Sequence, residues 1–293
     1  MSTKANSKQA AGARPAPSTT GHAWDGIEEY NNPLPRWWLW TFYATVIWAL
    51  IYTILYPAWP LFRDHATPGL LGYSTRAEVA KEIDRYEAMN KPMFARIAAT
   101  PIDELPADAE AYRFAVKAGA AVFRTWCAQC HGAGAAGGPG FPNLLDDDWL
   151  WGGTLEDILT TVTHGIRSPD DEETRSSEMP AFGEMLEKDE IVQIAEFVRS
   201  LSGLEHDAAA AQAGAELFAD NCAGCHGDDG TGMRELGAPN LTDAIWLKGS
   251  SREDIIRQIT TPKHGVMPNW NTRLSEAELK AVTAYVHQLG GGE

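Results

Sequence analysis

The sequence predicts a mainly α-helical protein with one transmembrane helix near its N-terminus, followed by two tandem copies of a small helical domain. Three observations predict this fold class: an uncharged stretch over residues 37–62, an internal repeat over residues 108–293, and apolar residues at helical spacing near the end of each repeat. The length of 293 residues suits about two domains. The expected boundaries are a tail (1–35), an anchor (36–62), a linker (63–107), a first domain (108–205) and a second domain (206–293).

The uncharged stretch has the length and flanks of a membrane-spanning helix. Residues 37–56 would cover ~30 Å as a helix, which is the thickness of the hydrocarbon core of a bilayer. Pro57 and Pro60 then end the helix, and aromatic residues lie at both ends, as in interfacial belts. A cleaved signal peptide is the alternative, but its apolar region is shorter and no small-residue cleavage site follows Leu55. We therefore predict an uncleaved anchor.

The segments on either side of the anchor carry weaker signals. Residues 1–35 are polar and rich in Ala, Ser, Thr and Pro, so we interpret them as a mostly unstructured tail. Residues 64–105 are interpreted as a connecting segment with one helix near 76–96, and the sequence assigns them no function.

The rest of the chain repeats itself. Residues 119–131 recur 95 positions later, and residues 191–201 recur 88 positions later, because the first copy carries a longer acidic loop around residues 170–173. Each copy begins and ends with a helix. The last helix opens with a capping box of Ser275 and Glu278 and continues with an apolar stripe that faces the core. Glycines one turn before each cysteine motif predict close packing of the first helix against Phe197 or Tyr285; these glycines are Gly119 and Gly214.

Each repeat contains two cysteines followed directly by a histidine, a pattern that is the attachment signature of c-type haem. The residues are Cys127, Cys130 and His131 in the first repeat, and Cys222, Cys225 and His226 in the second. Two thiols at this spacing can form thioethers with the two vinyl groups on one porphyrin edge, which leaves the histidine under the iron as proximal ligand. A zinc site is the alternative, but it needs two further ligands at each pair and has no use for the adjacent histidine. We therefore predict two covalently attached haem c groups, which supply apolar core to domains of about 80 residues.

A Met-Pro pair precedes the last helix of each repeat, at Met179 and Met267. A thioether is a soft sixth ligand, and His/Met ligation raises the reduction potential of the iron, which suits electron transfer rather than substrate binding. Each methionine can bind the haem of its own domain or that of its neighbour, and own-domain ligation is the simpler default. His164 and His264 occupy matching loop positions, and we interpret them as structural. The repeats are thus predicted to be class I cytochrome c domains.

The formal charge of −16 is concentrated after the anchor. Residues 1–63 hold five Lys/Arg and three Asp/Glu, so residues 64–293 hold 19 against 37, a balance of −18. A field of this sign repels nucleic acid and steers basic partners towards the surface. Plain solubility is the alternative reading of the same charge.

The segment that leads into the membrane is more distinctive than the haem motifs. Residues 22–29 read HAWDGIEE and residues 31–38 read NNPLPRWW, followed by one span and two haem domains. This arrangement resembles the CcoP/FixP family, the dihaem cytochrome c subunits of cbb3-type cytochrome c oxidases, over nearly the whole chain. Resemblance to single-haem cytochromes c implies that the carbonyls of Pro142 and Pro239 accept a hydrogen bond from Nδ1 of the haem-binding histidines.

The resemblance implies an electron-transfer role in aerobic respiration. Electrons would arrive from a soluble basic cytochrome c or a quinol-oxidising complex and pass, with a second cytochrome c subunit, to a catalytic haem–copper subunit that reduces oxygen and pumps protons. The sequence holds no multi-span, histidine-rich bundle, so oxygen reduction belongs to a partner. Because bacterial haem is attached to reduced thiols outside the cytoplasmic membrane, we expect a single-pass inner-membrane protein with a cytoplasmic N-terminus and periplasmic haem domains.

Two other functions share the haem motifs. A dihaem peroxidase would need one iron with an open or displaceable distal position, and both methionines argue against this. A membrane cytochrome that serves a periplasmic dehydrogenase would carry the same haems without needing the segment over residues 22–38.

Overall fold

The structure is a computed structural model that describes residues 17–60 and 66–293. The chain divides into two compact units, Met1–Arg85 and Tyr86–Glu293. The first unit holds a β-hairpin and the long apolar helix, and the second unit holds both repeats.

A β-hairpin occupies the described part of the N-terminal segment. Strand β1 (Thr19–Trp24) pairs antiparallel with β2 (Ile27–Tyr30). Asp25 and Gly26 form the turn with φ values of 52° and 82°, the left-handed conformation that a two-residue type I′ turn requires. The prediction of a mostly unstructured tail is therefore wrong for residues 19–30, because an Asp-Gly pair specifies a tight turn that overall composition does not reveal. Residues 1–16 of that predicted tail lie outside the described part.

Helix α1 (Arg36–Leu55) confirms the prediction of one helix long and apolar enough to cross a membrane. It has 20 residues, and an 18-residue window within it has a mean hydropathy of 1.6. Tyr56 leaves the helix with an extended backbone, as expected for a residue that precedes proline. The chain then turns back, because the N–H groups of Leu70 and Leu71 donate to the carbonyls of Ile54 and Leu55 at 2.9 and 3.0 Å.

Helix α2 (Thr75–Ala99) contains the helix predicted for the linker. Its end belongs to the second unit, where Ile97 is fully buried in an alanine-rich cluster with residues of two later helices, Ala109–Val122 and Glu276–His287. Lys280 closes this helix end, since its Nζ donates to the carbonyls of Ala98 at 2.6 Å and Thr100 at 2.9 Å. Carbonyls at a helix C-terminus lack partners within the helix, so the lysine satisfies groups that would otherwise be unpaired.

Four helices come from each repeat within the described residues. The first repeat supplies α3 (Ala109–Val122), α4 (Ala128–His131), α5 (Leu155–His164) and α6 (Lys188–Leu201). The second supplies α7 (Ala208–Asn221), α8 (Ala223–His226), α9 (Arg252–Thr260) and α10 (Glu276–His287). The capping box predicted for Ser275 and Glu278 is confirmed at the start of α10.

The last helices of the two repeats are exchanged. Helix α6 packs on α7 and α9 of the second repeat, whereas α10 packs on α3 and α5 of the first. Only residues 202–207 join α6 to α7, and so short a connection places consecutive helices side by side. The molecule therefore has a first half, made of α3, α4, α5 and α10, and a second half, made of α6, α7, α8 and α9. This differs from the expectation that residues 108–205 and 206–293 each fold on their own helices.

Two glycines allow the exchanged helices to approach closely. A Cβ atom at Gly119 would collide with the carbonyl group of Ala281 and would touch Tyr285, and one at Gly214 would collide with the carbonyl of Gln193. The predicted close packing of the first helix at both glycines is thus confirmed. The apolar stripes predicted for the last helices also face the two cores; their buried members are Ile191, Ile194 and Val198 in α6, and Leu279, Val282 and Val286 in α10.

Candidate functional site

Each repeat positions one Cys-x-x-Cys-His motif after its first helix. In both copies the second cysteine and the histidine lie on a single short helical turn, α4 or α8, and the first cysteine is the N-cap residue of that turn. None of the four cysteines is paired in a disulfide, so all four are available for thioether bonds. The side chain of the histidine is anchored from the following loop, since Nδ1 of His131 donates to the Pro142 carbonyl and Nδ1 of His226 to the Pro239 carbonyl, both at 3.1 Å. These two contacts confirm the expectation for the proline carbonyls and leave Nε2 of each ring free to bind a metal.

Burial controls the protonation of these side chains. Burial raises the pKa of Cys127 and of Cys222 to about 11, and the second cysteine of each pair adds to the rise. The pKa values of His131 and His226 are lowered, mainly by burial, against the opposing effect of the hydrogen bond to proline. Before haem attachment the thiols of Cys127 and Cys222 are therefore protonated at neutral pH. The imidazoles of His131 and His226 are neutral, which is the form of histidine that binds a metal.

The methionines lie in the halves opposite to their own repeats. Met179 packs against the core of the second half, which includes Cys222, and Met267 packs against the core of the first half together with Cys127. Backbone pairing holds Met267 in place, because it exchanges two hydrogen bonds of 2.9 and 3.0 Å with Ile166. These contacts place each methionine beside a cysteine of the other repeat, which differs from the default of own-domain pairing. The physical reason is the exchange of the last helices, since each Met-Pro precedes the helix that crosses over.

A cavity of about 430 Å³ lies beside the cysteine motif of the second half and is lined in part by loop residues of the first repeat, among them Phe141 and Pro142. Cys222, Cys225, His226 and Met179 all line it. Trp246 lines it too, and its indole Nε1 is buried without a hydrogen-bond partner in the described structure. A buried donor left unpaired is costly, and the carboxylate of a haem propionate would satisfy it. The thiols, the neutral imidazole, the thioether and this unpaired donor together fit a haem c group.

Cations border the same cavity. Arg167, Lys248 and Lys263 are among its lining residues. The pKa of Lys248 is lowered by burial first and then by the neighbouring charges of Arg167 and Lys263. Such a cluster of positive charge is stabilised by an anion, and propionates provide one. Sequence reasoning missed these cations because they follow no motif, whereas the recurrence of Trp149 as Trp246 was a signal that could have indicated the indole.

The two loop histidines lie outside the cysteine motifs. His164 has Nδ1 at 3.2 Å from Asp171 and Nε2 at 3.3 Å from Glu173, which ties the end of α5 to the acidic loop. This supports the structural interpretation of His164. His264 lies at the edge of the cavity in the second half.

Comparisons with known proteins agree with this architecture. Residues 16–63 match the family described as the N-terminal domain of cytochrome oxidase-cbb3, FixP. Residues 114–198 and 209–286 match the family described as cytochrome C oxidase, cbb3-type, subunit III. The two matches to the second family fall on the two repeats.

Curated relatives extend the similarity over the chain. It is 57% identical over 279 residues to the Cbb3-type cytochrome c oxidase subunit CcoP of Cereibacter sphaeroides, covering 94% of this chain and 96% of the relative. It is 54% identical to subunit FixP of Rhizobium meliloti, covering 94% and 95%, and 53% identical to subunit CcoP of Rhodobacter capsulatus, covering 94% and 96%. The protein is a cytochrome c electron-transfer subunit with covalently bound haem c. With one candidate membrane helix and two cytochrome c domains, the chain belongs to the CcoP/FixP family of cbb3-type cytochrome c oxidase subunits.

Proposed function

We propose that each half holds one haem c with crossed methionine ligation. Cys127 and Cys130 would attach the haem of the first half, and His131 and Met267 would bind its iron. In the second half, Cys222 and Cys225 would attach the haem, and His226 and Met179 would bind its iron. The observation that carries this proposal is the packing of each partly buried methionine against the same core as the first cysteine of the other repeat.

The residues that would hold each haem determine how readily its iron gains or loses an electron. A bound haem supplies a one-electron change at its iron, and the residues decide how readily that change occurs. The proline carbonyls fix the ring orientation of the two histidines. Methionine sulfur favours the reduced iron and closes the sixth position. Two closed positions favour electron transfer over a dihaem peroxidase.

The electron path runs between partners that the chain itself does not contain. We infer a single-pass inner-membrane protein with a cytoplasmic N-terminus and the region after α1 in the periplasm. A soluble basic cytochrome c or a quinol-oxidising complex donates electrons. A second cytochrome c subunit and a haem–copper subunit receive them, and the latter reduces oxygen and pumps protons. The support is the family membership together with the site of haem attachment, outside the cytoplasmic membrane.

The excess of acidic residues after the anchor supports a basic donor. With a formal balance of −18 over residues 64–293, electron transfer from a basic cytochrome c should slow steeply as ionic strength rises. A rate that does not respond to salt would assign the charge to solubility alone.

Single-haem variants of the full-length chain test the methionine pairing. Replacing Cys222 and Cys225 by Ser leaves the first attachment pair, and replacing Cys127 and Cys130 by Ser leaves the second. Adding Met267→Ala should lower the midpoint potential and open the reduced iron to carbon monoxide in the first background, but should change neither in the second. The opposite pattern would establish own-repeat pairing, and no response in either would remove Met267 as a ligand.

Met179→Ala is the matched control and should give the mirror-image result. In the chain with both haems, each methionine variant should move one of the two midpoint potentials and leave both haems covalently attached. Partners are tested by purifying the membrane complex through this chain and counting haem types and copper. Co-purification with a dehydrogenase in place of haem–copper subunits would contradict the oxidase path.

A further inference from the structure

One arginine lies between the two methionine loops. The first repeat carries extra residues here, because Met179 follows Gly165 by 14 positions whereas Met267 follows Gly265 by two. We call residues 167–178 the insertion. Arg167 is its first residue and has no counterpart in the second repeat, where Met267 stands directly after the shared His-Gly and one apolar residue.

The guanidinium of Arg167 donates to both methionine loops. Its Nε donates to the carbonyl of Gly265 at 2.7 Å, and its Nη1 donates to the carbonyl of Ser177 at 2.8 Å. Gly265 lies two residues before Met267, and Ser177 lies two residues before Met179. A single side chain therefore links the backbones that place the two sulfur atoms.

The backbone around Arg167 is held in an unusual conformation. Its φ of 52° lies in the left-handed region, which side-chain-bearing residues rarely adopt. Neighbouring contacts maintain this conformation: Ile166 pairs with Met267, and Ser168 Oγ donates to Asn269 Oδ1 at 2.9 Å. The start of the insertion is thus fitted closely to the Met267 loop.

The chemistry of arginine suits this double contact. A guanidinium is planar, stays protonated and presents several N–H groups in fixed directions, so it can serve two carbonyls at once. A lysine ammonium is a point charge on a flexible stem and cannot reproduce that geometry. Arg167 also lines the cavity beside Met179, which brings its positive charge to the edge of the second haem site.

We propose that Arg167 is a positioning residue that couples the two methionine loops, so that both iron–methionine bonds depend on one guanidinium. This inference rests on the proposed crossed ligation. Hydrogen bonds from a charged donor are among the stronger ones in proteins. Their loss should raise the fraction of haem with a displaced methionine by roughly tenfold in each half.

Arg167→Gly is the decisive variant, because glycine accepts a φ of 52° without strain, so the backbone can fold while the guanidinium is absent. The purified full-length protein with both haems is measured by the charge-transfer band of the methionine–ferric iron bond and by redox titration of each haem, with thermal unfolding measured alongside. We expect a weaker band and a lower midpoint potential at both haems. Arg167→Lys should give a smaller loss, since the charge remains and the planar contact is lost.

Arg175→Gln is the matched control from the same insertion. Its guanidinium contacts the Trp151 carbonyl and Asp157, and it contacts neither methionine loop. This variant should leave the band and both potentials unchanged. If Arg167→Gly changed neither haem, or only one, the coupling would be refuted. If wild-type protein lacked the methionine band, or Met179→Ala and Met267→Ala left it intact, the crossed ligation would fail as well, which separates the two failures.

Discussion

Each of the two exchanged helices, α6 and α10, carries one buried charge, and the two charges are of opposite sign. In the first half, Lys280 of α10 is 7% exposed and binds the carbonyls that end α2. In the second half, Glu196 of α6 is 3% exposed, accepts the N–H of Asp207 at 2.8 Å and pairs with Arg252 at 2.5 Å. Lys280 thus binds the end of α2, which lies outside the repeats. Glu196 instead stabilises the connection between α6 and α7.

The halves differ further at their methionine loops. The Met267 loop of the first half is held by the insertion through Ser168 and through Asp171, which accepts from Asn271 at 2.6 Å. Ile166, directly before the insertion, pairs with the backbone of Met267. The two halves therefore carry the same set of predicted haem ligands, but different contacts hold their methionine loops. We expect local stability, rather than the ligand set, to distinguish the two haems.

The largest loss of stability is expected from substitutions at the points where the exchanged helices cross α3 and α7. Gly119→Ala forces α3 away from the Ala281 carbonyl, and Gly214→Ala forces α7 away from the Gln193 carbonyl. Because backbone rather than a flexible side chain must move, each should destabilise its half by about 3 kcal/mol. The methionine–iron band should fall for the haem of the first half in one variant and of the second half in the other.

Gly134→Ala is the control for the glycine pair. A Cβ atom there meets no atom within 4 Å, so its effect on unfolding should stay near zero. Equal loss of both haem signals in Gly119→Ala would show that the halves unfold together, which would contradict the assignment of α10 to one half.

Removing one of the buried charges should give the next largest loss of stability. Lys280→Met leaves the carbonyls of Ala98 and Thr100 without their partner and should cost about 2 kcal/mol. Hydrogen exchange should then rise in the last turn of α2 and in residues 100–107, with the second half unchanged. Glu196→Gln is its counterpart and should instead raise exchange at the start of α7; a response in α2 would contradict this division of roles.

A smaller difference between the halves concerns the hydrogen bonding of two equivalent tryptophans. Trp246 has an unpaired Nε1 beside the cavity of the second half, whereas Nε1 of its counterpart Trp149 donates to the Gly291 carbonyl at 2.5 Å. Trp246→Phe should remove a donor to a haem carboxylate and lower the potential of the second haem. The expected fall is on the order of 40 mV, the equivalent of about 1 kcal/mol for one electron. Trp149→Phe should loosen the C-terminal residues and leave both potentials unchanged.

Local signals in the sequence predicted the first and last helices of each repeat and the cap of the last one, as the capping box of Ser275 and Glu278 illustrates. The proline partners of both histidines were instead implied by the resemblance to single-haem cytochromes c. The hairpin at Asp25 and Gly26 was equally local, and it was missed because composition was given more weight than the turn signal.

The exchange of α6 and α10 could not be predicted from such local signals. The two last helices carry equivalent apolar stripes, and Gly119 and Gly214 offer each of them the same groove, so pattern alone fits both pairings. Only the length of the connection over residues 202–207 distinguishes them. The double contact of Arg167 depends on that exchange, because it requires the Met267 loop to lie beside the first repeat.

The smallest expected effect concerns a position where the repeats differ in sequence. Asp148, directly before Trp149, corresponds to Ile245, directly before Trp246. Burial, followed by repulsion from Asp243 and other nearby carboxylates, raises the pKa of Asp148 from 3.8 to about 6. The folded protein thus holds this proton more tightly than the unfolded chain, so the contribution to stability is present below about pH 4 and is lost as pH rises through 6.

At pH 7 the ionised Asp148 therefore opposes folding. Because the side chain is only half-buried and solvent screens its charge, we expect about 1 kcal/mol rather than the full value of the shift. Asp148→Asn should raise the unfolding temperature at pH 7 and have little effect at pH 4. Ile245→Asn in the second repeat is the control, since it introduces no titrating group and should change stability equally at both pH values. An increase for Asp148→Asn that did not depend on pH would assign the effect to packing and not to the buried carboxylate.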